Sequence, residues 1–144
     1  MAQDKEFQEL KEWLIMFIKH RDMFHRKLQS ISEKDFLVIA EFKDKTHYYA
    51  ILPRIFDDLN QITSDYKDKH ISIITLNTKD NLKQIIKDWD KLSKLQMLSL
   101  FFVNPNASAE KKWIIYPFTH NRITEPSSLK LGLTTLFESI EECK

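Results

Sequence analysis

Glu41 and Lys43 stand two residues apart at the end of the apolar run "DFLVIAEF" (35–42). Side chains alternate along an extended strand, so the pair projects to one side. A carboxylate placed that way can bind a divalent ion. An ammonium two residues on can hold an attacking water or balance developing charge. Asp35 shares the face but stands roughly 20 Å away at strand rise, too far to share an ion with Glu41. Glu6, Glu9 and Glu12 precede the strand, and spacing selects none of them. The simpler reading of the pair is the solvated end of a hairpin.

A second cluster is His120, Asn121 and Arg122 in "YPFTHNR". An imidazole beside a guanidinium suits a phosphate or a carboxylate. Asn77 and Asn104 close two other apolar runs. In open α/β sheets ligands collect beyond the carboxyl ends of parallel strands, where these asparagines would lie. They serve equally well as turn and cap residues. The topology given below puts His120, Asn121 and Arg122 at the opposite end of the sheet.

The chain contains one glycine, Gly132, where average usage would give roughly ten. Phosphate-binding loops of the P-loop and dinucleotide types need two or three, because only glycine lets the backbone approach a phosphate that closely. No such cofactor is expected. Five histidines (20, 25, 47, 70 and 120) show no ligand spacing, and no Cys/His cluster exists, so no metal is expected. Cys143 is the only cysteine, which excludes an intrachain disulfide and suits a reducing, cytoplasmic setting.

Twenty-two basic and 21 acidic residues nearly cancel in the 144-residue chain. Nucleic-acid binding would therefore need a local patch. Lys83, Lys87 and Lys94 offer one, on one face of an expected helix. The apolar runs "WLIMFI" and "MLSLFFV" are too short to span a bilayer, and the first ten residues lack the apolar core of a signal peptide.

These residues need elements to position them. Residues 4–32 read as a long helix, with Phe7, Leu10, Leu14, Phe17, Phe24 and Leu28 at spacings of three and four. Strands follow at 35–42 and 47–53, then a helix at 54–62. A strand at 70–77 leads to a helix capped by Thr78 and carrying Leu82, Ile85, Ile86, Trp89 and Leu92. Strands at 97–104 and 113–118 precede a last helix with Pro126 near its first turn. The order is α-β-β-α-β-α-β-β-α in one domain, residues 1–144. The expected fold is a three-layer α/β/α arrangement on a mixed, mainly parallel five-stranded sheet, order 1-2-3-4-5. Helices two and three are expected on one face, helices one and four on the other. Ile15, Met16 and Met23 lie off the core stripe of the first helix. They mark a contact surface for a protein partner or a second copy in a homodimer.

The α-β-β beginning, the following α-β and the Glu41-x-Lys43 pair resemble the core of the PD-(D/E)XK nucleases over about residues 5–76. The resemblance implies Glu41 as a metal ligand and Lys43 as its charged partner. The chain departs from that pattern in having no strand before the Glu-x-Lys strand to supply a further acidic ligand. The residues as a whole favour a non-catalytic binding or interaction domain. A divergent or inactive nuclease is the alternative.

Overall fold

Leu10, Leu14 and Ile18 recur every four residues and are buried along one side of the first helix, α1 (Ala2–His25). The helix ends because Arg26 adopts a left-handed φ of 51° and the Asp22 carboxylate accepts the backbone N–H groups of Lys27 and Leu28 at 2.9 and 3.0 Å. The chain then turns directly into a strand. The computed structural model describes residues 2–55 and 59–143.

Six strands form one sheet in chain order: β1 (Leu28–Lys34), β2 (Leu37–Phe42), β3 (Thr46–Ile51), β4 (His70–Leu76), β5 (Leu98–Val103) and β6 (Lys112–Ile115). The pairs β1–β2, β2–β3 and β5–β6 are antiparallel, whereas β3, β4 and β5 run parallel. The crossovers carry α2 (Asn60–Asp65) between β3 and β4, then α3 (Lys79–Lys87) and α4 (Trp89–Leu92) between β4 and β5. After β6 come α5 (Pro117–Ile123), a single 3-10 turn at 126–128, and α6 (Leu129–Glu138).

The expected α/β class, the parallel trio and the neighbour order are all present, but several expectations are corrected. The sheet has six strands rather than five, and most of its pairings are antiparallel. The extra strand is β1, whose residues the helical reading of 4–32 had absorbed. Asp35 leaves the strand and takes a φ of 54° in the turn between β1 and β2, a conformation aspartate tolerates better than most residues. The strand expected at 113–118 stops at Ile115, and Pro117 opens α5 at its first position. The helix expected at 54–62 starts at Asn60, and residues 56–58 lie outside the described residues.

A further correction concerns the layers. One core joins the sheet to Leu82, Ile85, Trp89 and Leu92, and also to Leu133, Phe137 and Ile140 of the last helix and the segment after it. The other core has Leu10, Leu14 and Ile18 of α1 against Val38, Tyr49, Ile74, Phe101 and Val103. The last helix therefore lies with α3 rather than with α1. The Trp89 indole N–H donates to Asn121 Oδ1 at 3.0 Å, which docks α5 on α4 and draws α6 to that side. Among the described helices, α1 alone packs on its face of the sheet. No described helix is long and apolar enough to cross a membrane.

Candidate functional site

The sheet face beneath α1 changes character along the parallel strands. Toward their carboxyl ends it is aliphatic: Ile51, Ile74, Leu76 and Val103 are buried. Glu6, near the start of α1, pairs with Arg54 at 2.7 Å and fixes the beginning of the helix over that end. Toward the amino ends the same face carries His47 on β3, His70 and Ser72 on β4, and Ser99 on β5. Register sets His47 opposite His70 and Ser72 opposite Ser99. Here the second half of α1, with Ile18, Arg21 and His25, leaves a cavity of about 450 Å³ above the sheet. Its other walls include Phe42, Lys45, Tyr49, Phe101 and Tyr116.

The floor is a chain of hydrogen bonds across three strands. His47 Nε2 lies 2.8 Å from Ser72 Oγ, which lies 2.5 Å from Ser99 Oγ. Both serines are buried. The His47 ring stacks on Tyr49, with centroids 4.3 Å apart and planes 17° from parallel, and lies 6.0 Å from the His70 ring. Burial pushes the His47 pKa down to about 3, and the positive charges of Lys45, His70 and Arg21 act in the same direction. His47 is therefore a neutral imidazole, with one ring nitrogen donating and the other accepting. Burial pushes the Tyr49 phenol up to about 12, against the pull of Arg21, so Tyr49 keeps its proton.

The rim is charged and its carboxylates are occupied. Asp22 is taken by the two backbone N–H groups that end α1. Asp44 pairs with Lys27 at 3.3 Å, and that hydrogen bond holds its carboxyl below the usual range. Arg21 and Lys45 have no carboxylate partner among the described residues. Arg21 lies over the Phe17 ring at 5.7 Å and Lys45 over Phe42 at 5.9 Å.

A serine bonded to a histidine resembles a nucleophile with its base, but this pair lacks what that chemistry needs. Ser72 is fully buried. Among the described residues no carboxylate hydrogen-bonds the His47 ring, and a base with a pKa near 3 takes a hydroxyl proton poorly at neutral pH.

The candidates read from the sequence lie elsewhere. Glu41 is exposed on the opposite face of β2 and accepts a hydrogen bond from Thr46 Oγ1 at 3.1 Å. Lys43 lies in the following turn, its backbone N–H donating to the Lys27 carbonyl at 2.9 Å. A strand, β1, does precede this one, contrary to expectation. Its Glu33 sits opposite Val38, so it points to the α1 face and pairs with Lys11 at 2.8 Å, away from Glu41. Among the described residues no three His, Cys, Asp or Glu side chains are grouped to hold a metal ion.

Asn77 is buried. Its Nδ2 donates to the Phe137 and Glu141 carbonyls at 3.2 and 3.3 Å, and its Oδ1 accepts from the Trp113 indole at 2.8 Å. Asn104 Nδ2 also donates to the Glu141 carbonyl, at 3.1 Å. Both side chains are thus engaged in tying the C-terminal segment to the sheet. His120, Asn121 and Arg122 lie on α5 rather than in a loop. His120 meets Trp89 edge to face, and Arg122 lies over Phe118 at 5.5 Å. Met16 and Met23 are exposed on α1, whereas Ile15 is half-buried. Lys83 and Lys87 are exposed on α3, but Lys94 lies past the break into α4, so the expected helical strip is interrupted.

The cavity residues escaped the sequence reading, although a signal existed. "HISIITLN" and "MLSLFFV" each carry one serine within an apolar strand, and a buried hydroxyl calls for a partner. No protein-family model matches the chain, and no curated protein or solved structure does either.

Proposed function

We propose that this chain is a non-catalytic binding domain whose small-molecule ligand occupies the cavity between the second half of α1 and the amino ends of β3, β4 and β5. The observation that carries this reading is the His47–Ser72–Ser99 hydrogen-bonded chain, which crosses three strands and lines the cavity. Aliphatic side chains at these positions would continue the core found one turn of α1 away. Polar groups there cost stability unless they are satisfied, and a ligand gives them a use. A cavity of about 450 Å³ with aromatic walls and a few convergent polar groups falls in the ordinary range for ligand sites, roughly 300–1,000 Å³.

The test is a thermal-shift screen with pooled metabolites on the wild type and on Ser99→Leu, which plugs the floor. Hits that stabilise the wild type and not the variant support the reading. Hits that stabilise both equally bind elsewhere and count against it.

The exposure of Met16, Met23 and Phe24 along α1, at 72, 63 and 90 %, favours a second reading. There this strip meets a protein partner or a second copy of the chain. A nuclease centred on Glu41 and Lys43 would need further carboxylates beside Glu41, and none of the observations above favours that reading. The lone thiol, Cys143, fits a reducing, cytoplasmic setting for the binding domain.

A further inference from the structure

We infer that the ligand of this cavity is a small organic anion, a single carboxylate or phosphate carried on a flat apolar body. The inference rests on the binding reading above and adds the ligand's chemistry.

Charge comes first. Besides its histidines, the groups around the cavity are the cations Arg21, Lys27 and Lys45 and the anions Asp22 and Asp44. Lys27 and Asp44 neutralise one another, and Asp22 is committed to the end of α1. Arg21 and Lys45 are left facing the opening, one from the helix and one from the turn between β2 and β3. Cations at a partly enclosed mouth, with no ion-pair partner among the described residues, attract an oxyanion. A guanidinium and an ammonium are also the usual side chains for carboxylate and phosphate.

The floor adds a directional argument. The hydroxyl chain can run either way. When His47 accepts from Ser72, Ser72 accepts from Ser99, and Ser99 presents lone pairs to the cavity. When His47 Nε2 donates, Ser72 donates onward and the Ser99 O–H points out as a donor. An anion at Ser99 selects the second order, so the chain becomes a donor aimed at negative charge.

The walls define the rest of the ligand. Phe42, Tyr49, Phe101 and Tyr116 supply ring surface around the polar floor. That suits a flat body attached to the anionic group better than a sugar or a polyamine.

The experiment uses the full chain and three probes: benzoate, phenyl phosphate and the neutral isostere benzyl alcohol. Each is titrated to about 10 mM, a range that reveals weak fragment binding, while ring and amide NMR signals of His47 and His70 are followed. The expected result is saturable shifts with either anion, at an affinity about tenfold or more above that of benzyl alcohol. The double variant Arg21→Gln/Lys45→Gln should remove that advantage without moving the benzyl alcohol titration. Stronger binding of benzoate than of phenyl phosphate identifies a carboxylate, and the reverse order a phosphate. Benzyl alcohol binding as tightly as the anions, or a double variant that keeps its preference for anions, overturns the anion assignment and leaves the cavity reading standing. Silence of all three probes at His47 and His70 removes both.

Discussion

Acidification should destabilise this protein through one residue, His47, and the size of the effect follows from its setting. In the unfolded chain the imidazole titrates near 6.5, whereas burial and the cations around it bring the folded value down to about 3. Between those two values the unfolded state binds a proton that the folded state does not. Stability therefore rises with pH across this window. The contribution is complete above about pH 6.5, falls as pH drops, and levels off below about pH 3. From pH 7 to pH 5 the window supplies about 1.5 units at roughly 1.4 kcal/mol each, or about 2 kcal/mol. His47 is only partly buried, so the expected loss is about 1 to 2 kcal/mol. The assay is urea denaturation at several pH values for the wild type and for His47→Gln, whose amide can still reach Ser72. Titrating carboxylates affect both proteins alike, so the difference between the two curves isolates His47. Wild-type stability should fall more steeply than that of the variant between pH 7 and pH 5. Parallel curves would refute the reasoning.

Further substitutions separate structural residues from ligand-binding ones. Asn77→Ala leaves the Trp113 indole N–H without its acceptor and removes one donor each from the Phe137 and Glu141 carbonyls, so chemical denaturation should show a loss of about 1 to 3 kcal/mol. Gly132 lies inside α6, and a Cβ there would meet only His120 Nε2, at 3.9 Å. Gly132→Ala should therefore gain up to about 1 kcal/mol in the same assay, whereas Gly132→Leu should lose stability by driving into His120. Glu41→Ala should change stability by less than about 0.5 kcal/mol, and Mn²⁺ should not raise the melting temperature. A saturable Mn²⁺ shift that depends on Glu41 would restore the nuclease reading. Met16→Lys/Met23→Lys should fold as the wild type does, since both residues are exposed. Light scattering that shows a wild-type dimer and a variant monomer would assign the strip to self-association.

The parallel trio was legible because the runs that form β4 and β5 are apolar on both faces, which requires helices above and below. β1 was not legible, because Leu28 falls four residues after Phe24 and continues the helical spacing across the break. The stop signal there is a left-handed Arg26 and a carboxylate cap from Asp22, with no glycine or proline to announce it. Phe24, placed on the core stripe by that spacing, is instead exposed, because the side of α1 toward the sheet runs through Ile18, Arg21, Asp22 and His25. The position of the last helix was hidden too, since it depends on Trp89 meeting Asn121, 32 residues away. For the site, the rule about carboxyl ends led to Asn77 and Asn104. The cavity opens at the amino ends instead, where α1 diverges from the sheet over His47, Ser72 and Ser99. That juxtaposition joins α1, the turn after β2 and three strands, and no local pattern encodes it.

The most direct test of the ligand-binding account is a chemical-shift map of the full chain with the tightest binder from the pooled screen. The account predicts perturbations concentrated on Arg21, Lys45, His47, Ser72 and Ser99, with Asn77, Asn104 and Arg122 unmoved. Perturbations centred on Asn77 and Asn104, on His120–Arg122, or on Glu41 and Lys43, with the cavity silent, would contradict it.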